Sequence, residues 1–378
     1  MKHYKMRILQ GMTNIAKQGY MNADGLRKCG EWSKLYVYHE GYSNQKNDYN
    51  LNIWKSKCWF YPYYVVKLAF FNIYAMLRFN VFHFHFGKTM LPLNLDLPIL
   101  KLLGKKVFME YHGGDIRFML NSDRGSFDPE YVIADPASPL HRNCINRIFR
   151  NVECIILHDS ELRKYLVNYS GDVAYIPLRL DIDQFLPHYP DPENKKIVIV
   201  HAPTNREGKG TKFVTEAIER LKEKYEFEFI LVEHKTNDEA KEIYKKADIV
   251  IDQLRGGTYG VLSIESMAMG KPVICYVSDT MKKDFPDELP IVSASIYDVG
   301  EKIEKLILNG ELRYELGMKG RKYAECYHDY RYDTMLLREI YKGKYRNETQ
   351  KKAFQRVRAI YECNKNRYTR KEGKNATV

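Results

Sequence analysis

Arg206 and Lys209 stand three residues apart in the turn 203–210 (PTNREGKG), between a β-branched run at 197–201 and a helical pattern at 212–225. Both are cations, and that spacing in a turn lets them converge on one anion. A second turn, Arg255-Gly256-Gly257-Thr258-Tyr259-Gly260, follows the apolar run 248–254. Behind it Val261, Ile264, Ala268 and Met269 fall at helical spacing. Glycines let a backbone approach a ligand closely. A helix N-terminus adds free N–H groups and the positive end of a dipole. Together they suit a phosphate, and Glu265 on the first turns of the helix is placed to reach ribose hydroxyls. A glycine turn before a helix also arises from packing alone. Its weight here comes from the cationic turn expected on the same sheet edge.

These turns need strands and helices to hold them. The pattern predicts strands at 197–201, 227–232, 248–254 and 291–293, and helices at 212–225, 238–246, 299–309 and 311–327. Gly270 is the expected C-cap before the strand that starts at Pro272. The first half reads as another such series. Strands are expected at 6–10, 35–39, 81–86, 106–111 and 154–157, with helices at 22–29, 60–79, 97–103, 139–150 and 161–167, the last capped by Ser160. Residues 42–54 and 121–138 read as loops. The Pro- and charge-rich stretch 187–195 separates the two series. The fold class is therefore α/β, with two Rossmann-like, doubly wound parallel-sheet domains facing a cleft.

The segment 260–274 (GVLSIESMAMGKPVI) resembles the donor-site signature of retaining glycosyltransferases of the GT-B fold, glycosyltransferase family 4. That family usually carries two glutamates with seven residues between them. Glu265 matches the second, and the first falls on Gly257, a departure at a donor-sugar contact. The resemblance implies transfer of a sugar from a nucleotide sugar to a glycan or lipid-linked acceptor with retention. Surface polysaccharide or glycoconjugate synthesis is the implied setting. It makes Lys209-Gly210 the diphosphate-binding turn. The family's arginine slot six residues earlier holds Pro203, and Arg206 is expected to stand in for that arginine. It implies donor contacts from Gly256, Gly257, Thr258, Tyr259, Gly260 and Val261. It sets Asn14, Gln18 and Gly19, in the first turn of the chain, across the cleft from the donor. A family histidine near the donor sugar corresponds to His112, with Asp115 and Arg117 on the acceptor side. Read without the resemblance, 112–117 (HGGDIR) is a glycine turn with an Asp cap. No cofactor and no metal is implied. Two other readings stay open: a non-catalytic subunit holding a sugar nucleotide or glycan, and a sugar-nucleotide epimerase on the same fold.

His83 and His85 share one face of a strand, a spacing that also suits a metal. No acid or cysteine stands beside them in sequence, so they are expected buried and neutral. Asp181 and Asp183 resemble a metal-binding pair but lie far from the glycine turn. Seven scattered cysteines contain no C-x-x-C pair and suggest neither disulfides nor zinc. No signal-peptide pattern opens the chain, and Lys67 and Arg78 interrupt the aromatic run 61–82, so a cytoplasmic location is expected.

The domain boundaries expected are 1–190 for the acceptor-side domain, 191–328 for the donor domain, 329–343 for a helix returning to the first domain, and 344–378 for a basic tail. That tail carries eleven Lys/Arg against three Glu, a surplus of eight in a chain of net charge +12. Nothing points to nucleic acid. Phe354, Val357, Ile360 and Tyr361 form one helical stripe flanked by cations. The tail therefore fits either an anionic membrane surface, placing the protein peripherally on the inner face, or a helix packed on the protein itself.

Overall fold

The structure, a computed structural model, describes residues 6–39, 46–53, 58–117 and 139–375. The loop expected at 121–138, and parts of that at 42–54, lie outside the described residues. The chain divides into two compact units. Among the described residues the first takes the chain to Arg179 and then Tyr330–Arg356, and the second takes Leu180–Asp329 and the chain from Val357.

The first unit is built on β1 (Arg7–Met12), β2 (Trp32–Val37), β3 (Tyr49–Asn50), β4 (Val81–His85), β5 (Lys106–Tyr111), β6 (Cys154–Leu157) and β7 (Asp172–Tyr175). They form one sheet in the order β3-β2-β1-β4-β5-β6-β7, with every neighbouring pair parallel. Parallel strands need crossovers, supplied here by α1 (Gln18–Lys28), α2 (Tyr61–Arg78), α3 (Leu97–Leu102) and α4 (Pro139–Asn151). β4 (VFHFH) is buried along its whole length, as a central strand covered on both faces must be. The strand order reverses between β1 and β4, which opens a crevice at their C-terminal ends.

The second unit contains β8 (Ile197–His201), α5 (Arg206–Lys209), α6 (Thr211–Lys222), β9 (Phe227–Leu231), α7 (Asn237–Lys246), β10 (Ile249–Ile251), α8 (Val261–Ala268) and β11 (Val273–Ile274). Next come α9 (Asp279–Asp284), α10 (Val299–Leu308) and α11 (Gly310–Tyr327). Its sheet runs β11-β10-β8-β9, again all parallel, and reverses between β8 and β10. Ile199, Ile249, Ile251 and Ile274 pack against Val214, Ile218, Ile303 and Leu306 in one core. α7 begins with a capping box between Thr236 and Glu239, which fixes its first turn.

α12 (Tyr330–Tyr341) belongs to the first unit. A Cβ on Gly25 of α1 would stand 2.1 Å from Thr334 Oγ1 on α12, so the two helices approach at a distance only glycine allows. α13 (Gln350–Asn375) follows.

Several expectations are corrected. α1 starts at Gln18, four residues before the expected 22, because the Gln18 side chain is held by backbone beyond the helix. The segment Ser160–Tyr165 is a 3-10 helix capped by Asp159, whose Oδ1 accepts from Leu162 N–H at 3.3 Å, and not an α-helix capped by Ser160. In place of a strand at 291–293 there is a single bridge, Ile274 to Val292. In α13, Phe354 and Val357 are buried and Ile360 and Tyr361 half-buried, so the tail's stripe packs on the protein. Phe354 is therefore not available for membrane insertion. Some of the tail's cations are answered internally: Lys344 by Glu339, Arg346 by Glu153 and Asp172, Arg356 by Glu348, and Arg358 by Glu288.

Candidate functional site

In the second unit the turns after β8 and β10 flank the strand-order reversal, where open α/β sheets take their ligands. Lys209 ends α5, a single turn whose N-cap Asn205 accepts from Gly208 N–H at 2.8 Å. Gly210 then takes φ +74°, a left-handed conformation that glycine adopts without strain, and hands the chain to α6. The Lys209 ammonium is fixed by two acceptors, Asp252 Oδ1 at 2.8 Å and Gln253 Oε1 at 2.9 Å. Both acceptors directly follow β10.

Asp252 is fully buried and organises this corner. Its Oδ2 accepts from Ser263 Oγ at 2.6 Å and from Gly260 N–H at 3.4 Å, so it caps the start of α8 in place of an N-cap side chain. Burial raises its pKa, but the Lys209 charge and the Lys209, Ser263 and Gly260 hydrogen bonds outweigh it, and the net shift is downward. A Cβ placed on Gly260 would lie 3.9 Å from Lys209 Nζ. Asp252 Oδ2 lies nearer still to that position, at 3.7 Å, so the Lys209–Asp252 ion pair stands beside the first turn of α8.

Gly257 sits at φ +69° and its carbonyl accepts from Ser278 N–H at 3.0 Å. The turn itself thus calls for glycine at this position. Thr258 is buried, and its hydroxyl finds no hydrogen-bond partner among the described residues. Glu265 and Val261 are half-buried on α8. The phenol of Tyr244 is pushed up by burial first, then by the charges of Glu265 and Asp252.

Two of the residues singled out do not stand as expected. Arg206 does not converge with Lys209. Its side chain is largely exposed and forms a two-point pair with Glu233, through Nε to Oε1 at 2.7 Å and Nη2 to Oε2. Tyr259 turns inward, with its hydroxyl 3.2 Å from Tyr323 OH and 3.1 Å from His328 Nε2, so its ring is core and not a donor contact. Asp252, Gln253 and Ser263 were missed. Their signal was position, since Asp252 and Gln253 directly follow a strand and precede a glycine turn.

In the first unit Gln18 is also spoken for. It is fully buried, its Oε1 accepts from Arg179 N–H at 2.9 Å, and its Nε2 donates to Arg179 O at 2.9 Å. Gly19 is a packing glycine, where a Cβ would meet Leu35 Cδ1 at 3.2 Å. Asn14 accepts from Tyr20 N–H through Oδ1 at 3.2 Å. Asn14 and Asp115 both line a cavity of about 660 Å³ with Met12, Ile15, Val37, Leu68, Leu91 and Ile145 among its apolar walls. Thr13 and Gly87, which follow β1 and β4, also line it, so it occupies this sheet's reversal point.

The turn after β5 has the Asp-capped form. Asp115 accepts from His112 N–H at 3.0 Å and Gly113 N–H at 2.8 Å, and burial raises its pKa to about 6. Arg117 is engaged by Glu161, at 2.8 Å from Nη2. His112 joins a buried array. Its Nε2 lies 3.3 Å from His85 Nδ1, and burial lowers its pKa to about 3. His83 and His85 are fully buried with lowered pKa values, as neutral rings must be. They do have an acid neighbour. Glu110, on β5, puts Oε2 3.2 Å from His83 Nε2 and 3.7 Å from His85 Nδ1, a grouping that could hold a metal ion. Its Oε1 is already paired with buried Arg179, and although burial alone would raise the pKa of Glu110, the charge of Arg179 together with the hydrogen bond from His83 and the nearby His85 and His112 rings holds it well below the usual carboxylate range. Asp181, by contrast, accepts from Gln184 Nε2 at 2.6 Å.

No family model matches the chain, and no curated protein matches it in sequence. Solved structures do match in fold. Sucrose-phosphate synthase from Thermosynechococcus elongatus superposes with a TM-score of 0.63 at 12% identity, over 90% of this chain and 98% of that one. Anabaena HepE in complex with UDP and glucose gives 0.58 at 12% identity, over 90% and 100%. A structure described as a putative UDP-N-acetylglucosamine 2-epimerase from Listeria monocytogenes gives 0.54 at 12%, over 90% and 98%. The two parallel-sheet units and these likenesses define the architecture as the GT-B fold.

Proposed function

We propose that this protein is a glycosyltransferase that moves a sugar from a nucleoside-diphosphate donor to a glycan or lipid-linked acceptor, with retention and without a metal. The observation that carries the reading is the Lys209 ammonium, fixed between Asp252 and Gln253 beside the first turn of α8. Breaking the bond between the anomeric carbon and the diphosphate leaves negative charge on the departing oxygen. A preorganised ammonium and helix N–H groups stabilise that charge without reorganising. Glu265, five residues after Gly260 on α8, is assigned to the ribose hydroxyls. The acceptor hydroxyl attacks on the face the diphosphate leaves, and a diphosphate oxygen takes its proton, so no protein nucleophile is named. The largely apolar cavity at the β1/β4 reversal suits the apolar part of a lipid-linked acceptor. HepE holds UDP and glucose on the same fold, which makes UDP-glucose the first donor to try.

The test is transfer from UDP-glucose and other nucleotide sugars to polyprenyl-phosphate-linked and free glycan acceptors, in chelator, with the anomeric configuration read by NMR. Transfer with retention supports the reading. Donor binding without turnover would make the protein a holding subunit. Conversion of the donor to an epimer would make it an epimerase. Activity lost in chelator and restored by manganese would overturn the metal-free step.

A further inference from the structure

We propose that α2 is a membrane-surface element that lays one apolar face on an anionic lipid bilayer. The inference is independent of the glycosyltransferase reading. Trp59, just before α2, and Tyr63, Val66, Phe70, Ile73 and Leu77 recur at alternating steps of four and three, which places them on one side of a helix. All six are exposed, Trp59 at 93%, Phe70 at 70% and Leu77 at 76%. The opposite side, with Tyr64, Leu68, Phe71 and Ala75, is buried, so the exposed stripe is a second apolar face, beyond the one that folds the unit. A contiguous apolar patch of this kind marks an interaction surface.

Charge decides the occupant. No Asp or Glu occurs from residue 49 to residue 95, and the next acid, Asp96, is buried, with its carboxylate accepting from Thr89 and from the Met90 and Leu91 N–H groups. The helix itself brings Lys67 and exposed Arg78. α3, which by the right-handed crossover rule lies on the same side of the sheet, adds exposed Leu102 and Lys101. A second copy would oppose cation to cation, whereas an anionic headgroup layer answers them. Trp and Tyr beside aliphatic side chains and cations form the composition of helices lying in the headgroup region. No helix among the described residues is long and apolar enough to cross a membrane, so α2 lies on the bilayer.

The experiment is co-sedimentation of the full chain with vesicles of equal phosphatidylglycerol and phosphatidylcholine, and with pure phosphatidylcholine. Binding should be at least tenfold stronger to the anionic vesicles and should fall in high salt. Phe70→Gln with Leu77→Gln should weaken it at least tenfold without shifting the melting temperature in buffer. Tyr63→Ser with Ile73→Ser should do the same, and Trp59→Phe should remove a blue shift in emission. Unchanged binding in both double variants would overturn the proposal, as would no binding to phosphatidylglycerol. A dimer in vesicle-free buffer that Phe70→Gln with Leu77→Gln dissolves would also overturn it, making the face a contact between copies.

Discussion

Lys209→Ala removes more than a ligand for a phosphate. Asp252 is fully buried, and its ion pair with Lys209 is what offsets the cost of keeping a carboxylate there. Without the ammonium, Ser263 and Gly260 still donate, but a charge remains uncompensated. Breaking one side of a buried pair costs roughly 3–5 kcal/mol. Lys209 keeps some exposure, 18% of its side chain, so the lower figure applies. For a unit of this size about 3 kcal/mol lowers the melting temperature by roughly 6–12 °C. The sign of the pH effect follows. In the parent the lowered pKa of Asp252 contributes stability present above the unfolded value and lost as pH falls through the folded one. In Lys209→Ala burial dominates and the pKa rises, so the variant's deficit should shrink at acid pH as Asp252 takes a proton. Lys209→Ala with Asp252→Asn should recover much of the lost stability at neutral pH, yet bind UDP-glucose no better than Lys209→Ala alone. Thermal melts at pH 5 and 7.5, beside calorimetric titration with UDP-glucose, separate the two roles. A single variant melting within about 2 °C of the parent, or a deficit equally large when Asp252 is Asn, would show that Lys209 does not hold the Asp252 charge in place.

The first unit should lose stability below pH 6.5. His112, held neutral with a pKa of about 3, costs about 2 kcal/mol at pH 5 because only the unfolded chain takes the proton. Lowered His83 and His85 add to that loss. Asp115, raised to about 6, opposes it by about 1 kcal/mol at pH 5 because it is protonated first in the folded state. Asp115→Asn should therefore steepen the decline of melting temperature from pH 6.5 to 5, and an unaltered slope would count against this assignment. A chain ending at Gly343 removes buried Phe354 and Val357, and at roughly 1.5–3 kcal/mol for each should melt well below the full chain. Equal melting temperatures would return the tail to a solvated or membrane-facing role.

Periodicity made most of the fold legible. Strands and helices such as β4, β5, β6, β8, α4 and α11 lie within a residue or two of their expected bounds, because each carries its own pattern. The glycine at Gly210, the turn at 255–260 and the cation at Lys209 were legible for the same local reason. What the sequence hid is partnership across distance. Asp252 meets Lys209 across 43 residues, and Arg179 meets Gln18 across 161. Glu110 comes beside His83 and His85 only through the register of β4 on β5. Sheet register sets such meetings, and no spacing within one segment announces them. Arg206 misled because two cations three apart in a turn look convergent, while Glu233 at the end of the neighbouring strand takes one away. The tail stayed open between two readings because a stripe at helical spacing reads the same whether its partner is lipid or protein.

On the proposed function, the corner formed by Lys209, Asp252 and the first turn of α8 holds a nucleoside-diphosphate sugar. The most direct measurement is a thermal-shift comparison of the intact protein with a panel of nucleotide sugars, free UDP and free glucose, repeated on the Lys209→Ala, Asp252→Asn double variant. A donor at 100 times its dissociation constant should stabilise the protein by about 2.7 kcal/mol. A shift is expected with at least one nucleotide sugar, a lesser or equal one with its free nucleotide, none with glucose, and loss of the shift in the double variant. No shift with any nucleotide, or an undiminished one in the double variant, would contradict it.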